Sequence, residues 1–371
     1  MAQQQQQQQK PPRTYNVGIL GATGTVGQRF IQLLENHPFF NVTALGASPR
    51  SAGKPYAVAA ARSWKQNTAI PQNVAAAIVQ TCEPANFAGC DLVFSGLDSD
   101  VAGEIETAFM KADYAVFSNA KNHRMDPIVP LVVPLVNSSH LDVVHHQRKV
   151  HRLQSGFIVT NANCATTGLV VPLKALQDAF GPLSRVAVTT MQAISGAGYP
   201  GVPSLDILGN VVPYISGEED KLETECAKIL GSVRDDGTGF ANPAELRVSA
   251  SCYRVPVIDG HTESVMVEFA NRPPPSIEQV EAALKAYVSD AQTIGVNSAP
   301  EQSIVVMTES DRPQPRLDIW VGRGNAVAVG RLRKCNVLDI KFSLLSHNTI
   351  LGAAGSSIMN AEIAVAKNLI K

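Results

Sequence analysis

The sequence has no sustained run of lysine or arginine. Its 31 Lys and Arg nearly balance 32 Asp and Glu, for a net charge of −1. That leaves none of the electrostatic footprint that nucleic acid or an anionic membrane needs, so small molecules are the expected partners. CxxC pairs are lacking too. The six cysteines, at 82, 90, 164, 226, 252 and 335, lie scattered. Neither a secreted disulfide framework nor a metal site is expected from them, and free thiols in a reducing, cytoplasmic compartment are. No apolar stretch opens the chain either. MAQQQQQQQKPPR has the character of neither a signal peptide nor a membrane span, and residues 1–13 read as a disordered polyglutamine tail. What is present, 371 residues at 45% hydrophobic and 17% charged, suffices for about two ordinary cores.

From Tyr15 the pattern is strand, glycine turn, helix: YNVGILG, GATGTVGQ, then RFIQLLENH with Phe30, Leu33 and Leu34 inward. Gly21, Gly24 and Gly27 are spaced GxxGxxG. Their missing side chains allow a tight turn and close approach of a pyrophosphate to the helix N-terminus, although glycines in a turn are often only a turn. A second strand, NVTALGAS, follows at once and favours the nucleotide reading. The acid that usually reads the ribose of NAD after that strand is missing. Ser48, Arg50, Ser51 and Lys54 stand there instead, either as a basic solvated loop or as a site for the 2′-phosphate of NADP. AIVQTC, DLVFSGL and YAVFSNA are further strands separated by helical links, the alternation of a doubly wound, Rossmann-like parallel sheet. Ser95 and Gly96 close one of them, where such sheets bind ligands. PIVPLVVPLVN, with Pro127, Pro130 and Pro134, is expected to run extended across an edge.

FIVT and GLVVPLKALQDAF place Cys164 near a strand-to-helix turn. There the helix N-terminus can hold a thiolate near neutral pH; the alternative is a small buried cysteine beside a cap. Beyond it, RVAVTTMQAI, ELRVSASCYRVPV, HTESVMVEFA, SIVVMT, AVAVGRLRKC and VLDIKFSLLS are strands joined by short turns. They predict an α+β domain with a largely antiparallel sheet and helices on one face. A final apolar helix over 350–370 is expected to fold back, giving domains of 14–160 plus 348–371 and of 161–347. Arg254 ends one strand and His261 starts the next, so antiparallel pairing would bring an arginine fork and a proton carrier to one end of the sheet. Gln192 precedes a glycine-rich loop, residues 195–201. In SGEEDKLETECAKIL, Ser216 and Glu219 carry a capping-box signature. Glu218 shares a helical stripe with Leu222, Cys226 and Ile229, and Lys221 flanks it; the two charges turn inward or form an exposed ion pair.

GATGTVGQ, ASPRSAGK, SNAKNHR, NANCATTGL, MQAISGAGYPG, GEEDKLETE, YRVPVIDGHTES and SHNTILGAAG, in that order, resemble the aspartate-semialdehyde dehydrogenase family in its fungal and archaeal branch. The resemblance covers the chain beyond the tail. It implies an NADP-dependent, reversible reduction of 4-phospho-L-aspartate to L-aspartate 4-semialdehyde and phosphate, through a cysteine thioester, in the biosynthesis of threonine, methionine and isoleucine. It implies Cys164 as nucleophile and His261 as acid/base. Asn163, Arg124 and Lys221 match phosphate positions, and Glu218, Arg254 and Gln192 match positions for the amino-acid end. Thr23, Gly24, Thr25, Val26, Arg50, Ser51, Ser195, Gly196 and Asn348 match cofactor contacts, and a homodimer or homotetramer is implied. The cysteine motif reads NANC where the bacterial branch has NPNC. Rivals are N-acetylglutamyl-phosphate reductase, glyceraldehyde-3-phosphate dehydrogenase, whose usual motif is SCTTN, and an NADPH-binding sensor without chemistry.

Overall fold

A computed structural model describes residues 13–243 and 246–370. The polyglutamine tail, apart from Arg13, lies outside the described residues. Six parallel strands form the first sheet: β1 (Tyr15–Leu20), β2 (Phe40–Ala47), β3 (Gln80–Thr81), β4 (Leu92–Ser95), β5 (Ala115–Ser118) and β6 (Phe157–Thr160), in the order β3-β2-β1-β4-β5-β6. Val17, Ile19, Val93, Phe94, Val116, Phe117, Ile158 and Val159 are all buried. Such unbroken apolar runs are what a sheet covered on both faces requires. The strand order reverses between β1 and β4, which opens a crevice at the carboxyl ends of those strands. β3 is shorter than AIVQTC suggests, because only Gln80 and Thr81 reach β2. Of the proline-rich run only residues 130–133 lie extended along an edge, and 127–128 and 134–136 form turns. Thr160 N–H donates to Pro130 O at 2.9 Å and Val132 N–H to Thr160 O at 2.9 Å, so β6 is covered.

A helix, Cys164–Phe180, leads from β6 to the second sheet. After β7 (Leu183–Gln192), a two-stranded ribbon of β8 (Ser232–Val233) and β9 (Phe240–Ala241) precedes β10 (Arg247–Arg254), β11 (His261–Phe269), β12 (Ile304–Val306), β13 (Val327–Lys334) and β14 (Ile340–Ser346). The order is β10-β7-β11-β14-β13-β12; the three inner pairs are antiparallel and the two outer pairs parallel. Helices Cys164–Phe180, Glu218–Ile229 and Ile277–Ala286 cover one face. Along β11 the period of two is plain: His261, Glu263, Val265, Val267 and Phe269 are buried, and the residues between them are not.

One expectation needs correction. β10 and β11 are not partners. β7 lies between them, with Gln192 opposite Arg254 and Met191 opposite Thr262. Residues 255–260 therefore cross the end of β7 and are not a hairpin turn. Arg254 and His261 still reach the same end of the sheet, because β7 is parallel to one strand and antiparallel to the other.

The last segment returns to the first sheet through a π-turn, Ile350–Ala354, and a helix, Gly355–Ala366. Asn161, just past β6, fixes it there: Nδ2 donates to Ala353 O and to Ser357 Oγ, both at 2.7 Å, and Oδ1 accepts from Asn360 Nδ2 at 3.0 Å.

Candidate active site

Asn163 caps the helix that begins at Cys164. Its Oδ1 accepts from Ala165 N–H at 3.0 Å and Thr166 N–H at 3.3 Å, two donors that would otherwise have no partner. The cap fixes the cysteine in the first turn, where its Sγ lies 3.1 Å from His261 Nε2. The other ring nitrogen decides the tautomer. His261 Nδ1 accepts from Ala193 N–H at 3.1 Å, so a neutral ring carries its proton on Nε2, pointing at sulfur. Burial and the nearby Arg254 push His261 down to about 3, so the ring stays neutral. Burial also pushes the Cys164 thiol up to about 12; the Glu218 carboxylate adds to this, against Arg124, Arg254 and Lys221. Burial and the Glu218 carboxylate thus work against the thiolate that a helix N-terminus favours. Gly352 abuts Cys164 from the C-terminal side, since a Cβ there would lie 2.8 Å from Cys164 Cβ.

The Glu218–Ile229 helix presents Glu218, Lys221, Glu225 and Lys228 at i, i+3, i+7 and i+10, on one face. Its N-cap is Gly217, in the left-handed conformation (φ 65°), and not Ser216; Glu219 Oε1 accepts from Cys252 N–H at 3.0 Å in place of closing a capping box. Glu218 and Lys221 do turn inward. Glu218 Oε1 meets Lys221 Nζ at 2.6 Å, while Oε2 accepts from Asn163 Nδ2 at 2.8 Å and Gln192 Nε2 at 3.2 Å. Burial pushes the Glu218 carboxyl up, but Lys221 and the two amides outweigh it and hold the group below its ordinary value.

Glu225 and Lys228 escaped the sequence reading, and only the continuation of the stripe could have found them. Glu225 Oε1 pairs with Arg124 Nη1 at 2.9 Å and Oε2 accepts from Asn163 N–H at 2.6 Å. Lys228 Nζ donates to the carbonyls of Arg124 and Asp126 at 2.7 Å and of Val129 at 2.9 Å, and burial pushes it down to about 8. Together they grip Arg124 by side chain and backbone, and Arg124 Nη2 donates to Asn119 O at 2.8 Å. Arg254 donates Nη1 to Ala193 O at 2.7 Å; among the described residues its Nε and Nη2 have no hydrogen-bond partner.

The glycine turn divides its labour. A Cβ on Gly21, whose φ is +76°, would lie 2.7 Å from Gly96 O, and one on Gly27 would lie 2.2 Å from Gly21 O. These two let strand, helix and the β4 loop close together. Gly24 meets nothing nearer than 3.4 Å and caps the Thr25–Leu34 helix at the mouth of the crevice, beside Thr23, Thr25 and Val26. Ser48, Arg50 and Ser51 lie at the end of β2, with Lys54 Nζ donating to Arg50 O at 2.7 Å. Ser95 has a different place from the one expected. It is buried, and its hydroxyl donates to Glu106 Oε1 at 2.6 Å, so its side chain supports the crevice from beneath. Asn348 links the crevice to the thiol site: Nδ2 donates to Ser195 Oγ at 2.8 Å and Oδ1 accepts from Gly260 N–H at 2.9 Å. A Cβ on Gly196 would come within 3.0 Å of Arg254 Nη1 and 3.4 Å of His261 Cε1, so a side chain there would press on both residues. Among the described residues no cluster of His, Cys, Asp and Glu could hold a metal ion.

Comparison with known proteins gives a consistent picture. Residues 16–144 match the NAD binding domain of semialdehyde dehydrogenase, and residues 173–351 match the semialdehyde dehydrogenase dimerisation domain. The aspartate-semialdehyde dehydrogenase of Cryptococcus neoformans is 60% identical over 97% of this chain and 100% of its own. The enzyme of that name from Saccharomyces cerevisiae is 53% identical, over 95% and 98%. Among solved structures, aspartate semialdehyde dehydrogenase with NADP from Candida albicans superposes with a TM-score of 0.90 at 54% identity, covering 96% of this chain and 100% of that one.

Proposed function

The chain belongs to the aspartate-semialdehyde dehydrogenase family, and from that premise we propose how its site performs the NADP-dependent interconversion of 4-phospho-L-aspartate with L-aspartate 4-semialdehyde and phosphate. The reaction serves biosynthesis of the aspartate-derived amino acids. NADP fits the crevice. Gly21 and Gly27 draw the backbone in where a side chain would block it, Gly24 leaves the helix N-terminus open to a pyrophosphate, and Arg50 with Ser48 and Ser51 stands where a 2′-phosphate needs a cation. What the bound cofactor contributes is hydride exchange at the carbonyl carbon.

The chain's own residues do the rest. Arg254, with Nε and Nη2 available, takes the substrate carboxylate, and Glu218 with Gln192 takes the ammonium. Lys221, Arg124 and Asn163 receive the phosphate. Cys164 forms a C–S bond to the acyl carbon as the C–O bond to phosphate breaks, leaving a thioester. The Cys164–His261 distance of 3.1 Å carries this reading. Since His261 Nε2 already bears a proton, the thiol proton departs with the leaving phosphate. The same N–H is then within reach of an oxygen on carbon attached to sulfur, and donates to it when that oxygen gains charge.

A homo-oligomer follows from the family, and we propose a dimer formed through the half-exposed face of the second sheet. The division into 14–160 plus 348–371 and 161–347 is supported by the two sheets, and a cytoplasmic setting by six unpaired cysteines. The test is phosphate-dependent NADP reduction with L-aspartate 4-semialdehyde, then mass mapping after an acyl-phosphate analogue. Activity with an adduct on Cys164 alone is expected. An adduct on Cys226, Cys252 or another cysteine, with Cys164 intact, overturns the mechanism.

A further inference from the structure

Glu218 and Lys221 are assigned above to different ligands, yet in the ligand-free site they hold each other at 2.6 Å. We propose that this ion pair is an interlock: the ammonium of the amino-acid substrate takes over Glu218 and releases Lys221 to the phosphate, so that the two ligands bind with positive coupling. This rests on the roles assigned to Glu218 and Lys221 under Proposed function.

The surroundings decide which partner yields. Glu218 has three donors. Asn163 cannot leave, because its Oδ1 caps the nucleophile helix while its Nδ2 meets Glu218. Gln192 is buried at the end of β7, in register with Arg254. Lys221 alone has room to move, with its side chain 25% exposed on a flexible four-carbon stem. An arriving ammonium both competes for Oε1 and repels the lysine.

Arg124 differs. Glu225, Asn119 O and the Lys228 grip on its own carbonyl fix it whether or not a ligand is present. The phosphate site is thus prebuilt in part, through Arg124 and Asn163, and conditional in part, through Lys221. An aldehyde lacking the amine would leave the condition unmet, so selectivity for the amino group is also expressed in the affinity for phosphate. Linkage makes the effect reciprocal, and couplings of this kind run from about 5- to 150-fold.

The test is calorimetric titration of the full chain with inorganic phosphate, alone, with saturating L-2-aminobutyrate and with saturating butyrate, which lacks the amine. L-2-Aminobutyrate is expected to tighten phosphate binding about tenfold or more, and butyrate to leave it unchanged. Glu218→Gln needs no amino acid to report. It should bind phosphate about tenfold more tightly than the parent and respond to neither additive, with thermal melts and NADP titration confirming the fold. Phosphate affinity in Glu218→Gln equal to the parent's, or an equal response to both additives, overturns the interlock while Lys221→Ala still weakens phosphate. If Lys221→Ala leaves phosphate affinity intact, it is the assignment of Lys221 that falls.

Discussion

The contact between Gly352 and Cys164 sets a quantitative expectation for Gly352→Ala. The added Cβ would lie 2.8 Å from Cys164 Cβ, 3.1 Å from its Cα and 3.2 Å from its carbonyl oxygen. Carbon atoms in contact keep about 3.5 to 4.0 Å apart, so the two backbones must separate by about 1 Å. Neither gives easily. Gly352 N–H donates to His347 O at 2.9 Å, Asn161 holds Ala353 O, and the Asn163 cap holds the cysteine. Overpacking of this kind costs about 1–3 kcal/mol, or a fall in Tm of roughly 1 to 4 °C. Moving a reacting group by about 1 Å can cost on the order of a hundredfold in rate. Gly352→Ala should therefore fold, melt a few degrees lower and lose about a hundredfold in kcat. Steady-state kinetics and a thermal melt measure both. Parental kcat and Tm together would refute the idea that the C-terminal turn buttresses the cysteine.

Arg50→Ala should weaken NADPH by about one to two decades, the worth of a charge-assisted hydrogen bond, and leave NADH nearly unchanged; equal losses in the two titrations would mean that Arg50 only supports its loop. Arg254→Ala should lower kcat/KM for the semialdehyde by about a thousandfold with NADP binding intact, and Arg254→Lys should recover little, because a point charge lacks the two-pronged grip. Substantial recovery by lysine in steady-state kinetics would count against that grip. Glu263 gives a pH signature. Burial raises its carboxyl well above the ordinary 4.5, and neither oxygen has a partner among the described residues. A folded-state pKa above the unfolded one contributes stability at low pH that is lost as pH rises through the folded value. Glu263→Gln should therefore gain stability relative to the parent between pH 5 and 8 in urea melts, and a difference independent of pH would show the carboxylate to be ionised inside.

Local chemistry made much of this molecule legible, and distance hid the rest. The strands of the first sheet announce themselves because both of their faces are buried, and the GxxGxxG turn because only glycine permits backbones 2 to 3 Å from where a Cβ would sit. Cys164 could be placed at a helix start from FIVT and the apolar spacing after it. Its protonation could not, since that depends on desolvation and on the charges of Arg124, Glu218, Lys221 and Arg254, all far from it in sequence. Arg254 and His261 were sent to the correct end of the sheet by the wrong route, because nothing between residues 247 and 269 reveals that β7 inserts between the two strands. The Ser216 capping box failed on its neighbour: Gly217 takes the left-handed conformation, and Glu219 is claimed by Cys252 N–H. Ser95 looked like a ligand contact at a strand end, but its hydroxyl is committed to Glu106, eleven residues on. Glu225 and Lys228 bind groups about a hundred residues away, for which a helical stripe offers no address.

The return of residues 348–366 beneath the first sheet bears on how the protein is made. Three of the four partners of the Asn161 amide, Ala353, Ser357 and Asn360, are made late, only Asn119 preceding it, and Asn348 ties Ser195 to Gly260 from the same late stretch. A ribosome adding about 5 to 20 residues per second takes on the order of 10 to 40 s to go from β6 to that stretch. Throughout that interval the face of the nascent first sheet that the last helix covers keeps apolar surface exposed, and the cysteine has no buttress. Completion of the fold and completion of the active centre are therefore a single late event, and the window before it is when the nascent chain most needs a chaperone.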